Sequence, residues 1–185
     1  EPKIASISVG NLSMGGTGKS PMIVWLANHF IKNHKIMIIS RGYGRKSNGF
    51  IEVFENMSHS LVGDEPLLFK KIFGNKLKVA VSEKRKIGIQ KMTDLYPNIS
   101  CLLLDDAFQH RKIQPGFSIL LTTFDNPFFS DLPIPSGSLR EPINGVKRSD
   151  IIIVTKCPDK LVNKDKERFI ERLSAFNKPI FFSSI

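Results

Sequence analysis

Short apolar runs alternate with segments of helical period along most of the chain. Residues 4–9 mix small and β-branched side chains, as a strand does. After Pro21, which a helix tolerates in its first turn, Met22, Ile23, Leu26, Ala27 and Phe30 fall at helical spacing. Residues 35–39 predict a second strand, 65–73 a short helix, 78–81 a strand and 84–95 a basic amphipathic helix. Residues 101–104 are continuously apolar, the pattern of a central parallel strand buried on both faces. Residues 117–121 and 151–154 repeat that character, 161–173 predict a charged helix, and 179–182 a closing strand. Alternation at this pace predicts the α/β class: three layers, a doubly wound, mostly parallel sheet with helices on both faces. The interval 122–148 carries four prolines and little periodicity. A loop that long in a compact domain is functional or reaches a second body.

Composition narrows the partners. The 185 residues predict a single domain, residues 1–185, or one and a small piece. Lys and Arg number 27 against 17 Asp and Glu, a net charge of +10. That excess favours polyanions: nucleic acid, anionic membrane or phosphorylated ligands. Nucleic acid is disfavoured, because the aromatics are mostly Phe in apolar runs and are not interleaved with Lys and Arg. The only cysteines, Cys101 and Cys157, lie in or beside apolar runs and read as reduced core thiols. A disulfide scaffold and a Cys-rich zinc site are excluded. No run approaches the roughly 20 apolar residues that span a bilayer, and no signal peptide is present. The chain opens on Glu1-Pro2-Lys3 without Met and ends just after a strand pattern. The expectation is a piece of a longer protein, with a membrane anchor before residue 1 and a C-terminal domain after residue 185.

Between the first strand and first helix lies Gly10-Asn11-Leu12-Ser13-Met14-Gly15-Gly16-Thr17-Gly18-Lys19-Ser20-Pro21. Its glycines let the backbone curl so that successive N–H groups point at an anion, and the helix start adds its positive dipole end. Lys19 can reach β- and γ-phosphates, and the Ser20 hydroxyl can ligate Mg²⁺. The strict P-loop pattern has Gly where this chain has Ser13, but the strand–loop–helix context is present. The fold expectation is therefore of P-loop type, with a nucleotide held by Ser13, Gly15, Gly16, Thr17, Gly18, Lys19 and Ser20.

A second apolar strand ends in Asp105-Asp106. Adjacent carboxylates at a buried strand end repel and lose solvation, so a cation there is the economical explanation. The plain alternative is a pair of turn caps. In Gly63-Asp64-Glu65-Pro66, Asp64 reads either as an N-cap or as a carboxylate aimed into a cleft as base for a substrate hydroxyl. Ser40-Arg41-Gly42-Tyr43-Gly44-Arg45 sets two arginines around a flexible turn, which suits an anion or makes a basic surface turn. Arg85 and Arg140 are weaker versions of the same case, and Gln109-His110 follows the acidic pair. Phe128 and Phe129 read as packing beneath a loop, or as dipping into lipid headgroups. Thr155-Lys156 shares one position with the Asn-Lys-x-Asp guanine reader of GTPases and departs at the others.

Taken in order, the 10–21 loop, Ser40 to Arg45, Gly63 to Pro66, Asp105-Asp106-Ala107-Phe108-Gln109-His110, Ser136-Gly137-Ser138-Leu139-Arg140-Glu141-Pro142 and the 148–156 run resemble one family closely. It is the tetraacyldisaccharide 4'-kinases, the lipid A 4'-kinases of Gram-negative bacteria, whose loop also lacks the first glycine. The match covers about residues 4–156. Ala107 stands where Gly is usual and Ser138 where Pro is common. The resemblance implies transfer of a phosphate from ATP, with Mg²⁺, to the 4'-hydroxyl of an acylated glucosamine disaccharide 1-phosphate, giving lipid IVA. It implies work at the cytoplasmic face of the inner membrane, in peripheral contact with anionic lipid. Lys19 and Ser20 would hold phosphates and metal, and Asp105 and Asp106 would serve the metal and the transfer. Asp64 matches the base, assisted in the family by a histidine from a C-terminal domain. Arg41, Arg45, Arg85, Gln109, His110 and Arg140 are the expected substrate-binding residues. The rival expectation is a P-loop NTPase acting as an assembly or switch protein.

Overall fold

The computed structural model describes residues 4–110 and 112–184. In chain order the elements are β1 Ala5–Asn11, α1 Lys19–Phe30, β2 Ile36–Ser40, β3 Ile51–Glu52, α2 His59–Val62, α3 Asp64–Phe73, β4 Lys78–Val81 and α4 Arg85–Leu95. There follow β5 Cys101–Asp105, β6 Phe117–Thr123, β7 Ile151–Thr155, α5 Asn163–Ser174 and β8 Ile180–Phe182. The eight strands hydrogen-bond in the order β3-β4-β2-β5-β1-β6-β7-β8. β4 and β5 run parallel to β2, and β6 and β8 run parallel to β7. Only the two-residue β3 is antiparallel among these pairs, at one edge on β4. The mostly parallel sheet expected from the alternation is therefore present. β3 and α2 are too short to leave a period in the sequence.

The chain divides into two compact units. The first comprises Glu1–Ser8 and Ile23–Gly116, the second Val9–Met22 and Phe117–Ile185. In the first, every residue of β2 and β5 is buried. Met37, Ile39, Ala80, Met92, Leu102 and Leu104 form a continuous core, consistent with strands covered on both faces. α4 lies so close that a Cβ on Gly88 would stand 2.8 Å from the Ser82 Cβ, so glycine is required there. In the second unit α5 buries Phe169 and Leu173, four residues apart, and leaves its charged face to solvent. Phe169 stacks on Phe124 at 5.3 Å between ring centroids and meets Phe129 edge-on at 5.4 Å; Phe128 meets Phe176 at 6.0 Å. Phe128 is thus a core aromatic, and the half-buried Phe129 packs on Phe169 beside it, the packing alternative for this pair. Cys101 and Cys157 are buried free thiols, as expected. No helix among the described residues is long and apolar enough to cross a membrane.

Candidate active site

In the second unit β1 ends at Asn11, and the chain then curls before α1 starts at Lys19. Gly15 has φ +107° and Gly18 φ +84°, backbone conformations that an L side chain resists. A Cβ on Gly15 would find no atom within 4 Å, so the space over the loop is open. Asn11, fully buried, is the hub beneath. Its Nδ2 donates to the Ser13 carbonyl at 2.8 Å, and its Oδ1 accepts from Lys19 Nζ at 3.3 Å. The Arg140 guanidinium donates to the same Oδ1 and, at 3.2 Å, to the Asn11 carbonyl. Thr17 Oγ1 is buried and has no hydrogen-bond partner among the described residues.

The irregular 122–148 interval finds its use here. Met14 N–H donates to the Ser138 carbonyl and Arg140 N–H to the Leu12 carbonyl, both at 2.7 Å. Leu139 bridges to Ser13. The segment is a backbone splint for the loop, and its lack of period reflects pairing with a loop instead of a helix face.

In the first unit β5 ends at Asp105, wholly buried, and Asp106 follows in a left-handed conformation at φ +46°. Ser40, the last residue of β2, donates its hydroxyl to Asp105 Oδ2 at 2.9 Å. Arg85, the first residue of α4, is 1% exposed. Its Nη1 donates to the Ser82 carbonyl at 2.8 Å and its Nη2 to the Asp105 carbonyl at 3.3 Å. Burial pushes its pKa down to about 10, against the opposing pull of Asp105 and Asp106. It remains a cation at neutral pH, buried as the counter-charge of the acidic strand end. His110 is held below its ordinary pKa, first by burial and then by Arg85 and Arg41, against the opposing pull of Asp106, so its imidazole is neutral at pH 7. Gln109 and His110 are half-buried on the turn after Asp106.

The Ser40–Arg45 turn packs on the start of α3. A Cβ on Gly63 would lie 3.0 Å from the Gly42 Cα, and one on Gly42 would lie 2.8 Å from the Val62 carbonyl. Arg41 is exposed, but the Arg45 side chain is 3% exposed. Arg45 pairs with Glu83 and donates to Ser47 Oγ at 3.2 Å and to the Gly49 carbonyl at 2.6 Å. Asp64 is not the N-cap of α3: Gly63 holds that position, and the helix has no side-chain cap. The Asp64 carboxylate is 89% exposed, 3.5 Å from His59 Nδ1.

Arg41, Arg45, Asp64, Arg85, Asp105, Asp106, Gln109 and His110 lie in the first unit. Ser13, Gly15, Gly16, Thr17, Gly18, Lys19, Ser20 and Arg140 fall in the second. Sequence reading passed over Asn11, Ser40, His59 and Glu83. Ser40 carried a usable signal, since it terminates the apolar run of β2 as Asp105 terminates that of β5. Glu83 had none, because Arg45 is 38 residues away, and the hub role of Asn11 depends on Arg140, 129 residues away.

The model of the family described as tetraacyldisaccharide-1-P 4'-kinase matches residues 1–181. The chain belongs to the tetraacyldisaccharide 4'-kinase family. Two members are a tetraacyldisaccharide 4'-kinase of Flavobacterium psychrophilum, 44% identical over 98% of this chain and 54% of that protein, and one of Flavobacterium johnsoniae, 41% identical over 97% and 53%. The chain spans about half the length of these curated 4'-kinase relatives. A crystal structure of LpxK from Aquifex aeolicus in complex with ATP superposes with TM-score 0.76 at 28% identity, over 98% of this chain and 71% of that one. A plasmid partition protein from Borrelia burgdorferi bound to AMPPNP superposes with TM-score 0.54 at 14% identity, a likeness of fold alone.

Proposed function

We propose that the protein containing this chain is an ATP-dependent kinase acting on the 4'-hydroxyl of tetraacyldisaccharide 1-phosphate, to give lipid IVA at the cytoplasmic face of the bacterial inner membrane. The observation that carries this reading is the splinted glycine loop with Lys19 at its helix start, in a chain 28% identical to an LpxK structure in complex with ATP. The loop fits a polyphosphate: its glycines leave open space, and Thr17 Oγ1 is a buried polar atom with no partner among the described residues. Lys19 neutralises β- and γ-phosphate charge, which in phosphoryl transfer is most of the catalytic work.

Among the described residues no three His, Cys, Asp or Glu side chains cluster as a metal site. The adjacent carboxylates Asp105 and Asp106 at the end of β5 suit Mg²⁺, which takes one or two carboxylates and completes its shell with phosphate oxygens and water. In the first unit Asp105 and Asp106 would serve it, and when bound it would supply charge neutralisation and alignment of the phosphates. Asp64, exposed at the start of α3, is the base that accepts the proton of the sugar hydroxyl. Arg41 faces solvent and is the arginine we assign to the anionic substrate. Gln109 and His110, on the turn after Asp106, are assigned as further substrate contacts, and neutral His110 offers a hydrogen bond without charge. Arg45, Arg85 and Arg140 are engaged with protein groups, and we assign them the positioning of the turn, the strand end and the loop. The +10 charge suits an anionic nucleotide, a phosphorylated glycolipid and an anionic membrane surface together.

The test is phosphate transfer by the full-length protein. Asp64→Asn is expected to keep its affinity for Mg-ATP and to lose transfer by about a hundredfold or more. Wild-type transfer would remove Asp64 from the mechanism. Nucleotide turnover indifferent to the disaccharide lipid would favour an assembly or switch NTPase instead.

A further inference from the structure

The end of β7 is tied to the phosphate loop by contacts that the kinase reading has not used. Thr155 is fully buried, and its hydroxyl donates to the Thr17 carbonyl at 2.9 Å. The hydroxyl also lies 3.1 Å from the Thr122 carbonyl, so it stands between the loop and the neighbouring strand. The next residue, Lys156, adopts φ +56°, a left-handed conformation that costs a β-bearing residue about 1 kcal/mol or more. That turn sends its side chain back toward the loop: a Cβ on Gly16 would stand 3.9 Å from Lys156 Nζ. Lys156 nevertheless remains exposed, so its ammonium lies over the open side of the loop and is not spent in a buried pair. The sequence offers few reasons to hold a lysine, instead of glycine or asparagine, in a left-handed turn beside three loop glycines. A ligand anion in that loop is one, because a second cation there complements it.

We propose that Lys156 is a nucleotide-binding residue, delivered to the phosphate loop by the Thr155 tether and contributing a second positive charge to the bound nucleoside triphosphate. This rests on the loop being a nucleotide site, and the experiment separates the two claims. Mg-ATP affinity is measured by calorimetry on the full-length protein and its Lys156→Gly and Lys19→Ala variants, and melting temperature is measured without nucleotide. Glycine fits the left-handed turn, so Lys156→Gly removes the ammonium while sparing the backbone. The expected result is an affinity about tenfold weaker, the worth of one charge-assisted contact, with the melting temperature unchanged or raised. Wild-type affinity in Lys156→Gly overturns the proposal, as does a weaker affinity accompanied by a lower melting temperature. If Lys19→Ala also binds Mg-ATP as the wild type does, the nucleotide reading itself has failed. If Lys19→Ala loses affinity while Lys156→Gly keeps it, only the role of Lys156 has.

Discussion

The phosphate loop and the acidic end of β5 solve opposite problems. The loop, read above as holding an anion beside Lys19, is built from backbone shaped by glycine and splinted by backbone. The end of β5 must keep a carboxylate away from water, and it does so with side chains from remote positions. Ser40 supplies a hydroxyl to Asp105, and Arg85 supplies a buried cation to its carbonyl. Errors in the loop should therefore cost function before stability. Errors at the strand end should cost stability first.

The largest expected effect tests that contrast. Arg85→Met keeps length and apolar volume but leaves the Ser82 and Asp105 carbonyls without their donors and removes the buried counter-charge of Asp105. Removing one partner of a buried charged pair costs about 3–5 kcal/mol. Urea unfolding should show a loss of that size. A loss under about 1 kcal/mol would mean that Asp105 is neutralised without Arg85.

Next in size is the loop. Gly15→Ala adds a methyl into open space, so its only penalty is the φ of +107°. Strain of that kind costs about 1–3 kcal/mol, and the variant is expected to relieve it by distorting the loop. Mg-ATP affinity should fall at least tenfold while unfolding free energy falls by less than in Arg85→Met. Equal losses of stability in the two variants would erase the distinction between the regions.

That distinction also explains what could be read in the sequence. A loop whose function lies in its backbone declares itself through glycine spacing, and Gly15, Gly16, Gly18 and Lys19 stand within five residues. The parallel strands declared themselves through continuous apolar runs such as 101–104. The strand end hid half its construction, because Ser40 and Arg85 meet Asp105 across 65 and 20 residues. Arg85 was expected to bind substrate because it opens a basic helix, yet its guanidinium is buried and donates to the Ser82 and Asp105 carbonyls. Arg45 misled in the same way: its partner Glu83 is 38 residues away. Of the three points where the chain passes between the two units, two fall within β1 and α1, where no composition changes, and only the third follows a turn pattern, Pro115-Gly116.

The smallest expected effect concerns that last pair. Glu83 accepts from Arg45 and, at 3.0 Å, from the Gly49 N–H. Burial alone would raise its pKa. The backbone and Arg45 hydrogen bonds outweigh it and hold the carboxyl below its ordinary value of 4.5. A depressed acid stabilises the fold above its unfolded pKa, and that contribution disappears as pH falls through the folded one. Glu83 is partly exposed, so solvent screens the pair and the effect is modest. Melting temperature followed from pH 6 downward should therefore fall slightly more steeply below about 4.5 in the wild type than in Glu83→Gln, which cannot titrate. Parallel curves would show that the Arg45 turn is held by its bonds to Ser47 and Gly49 alone, and that charge adds nothing to it.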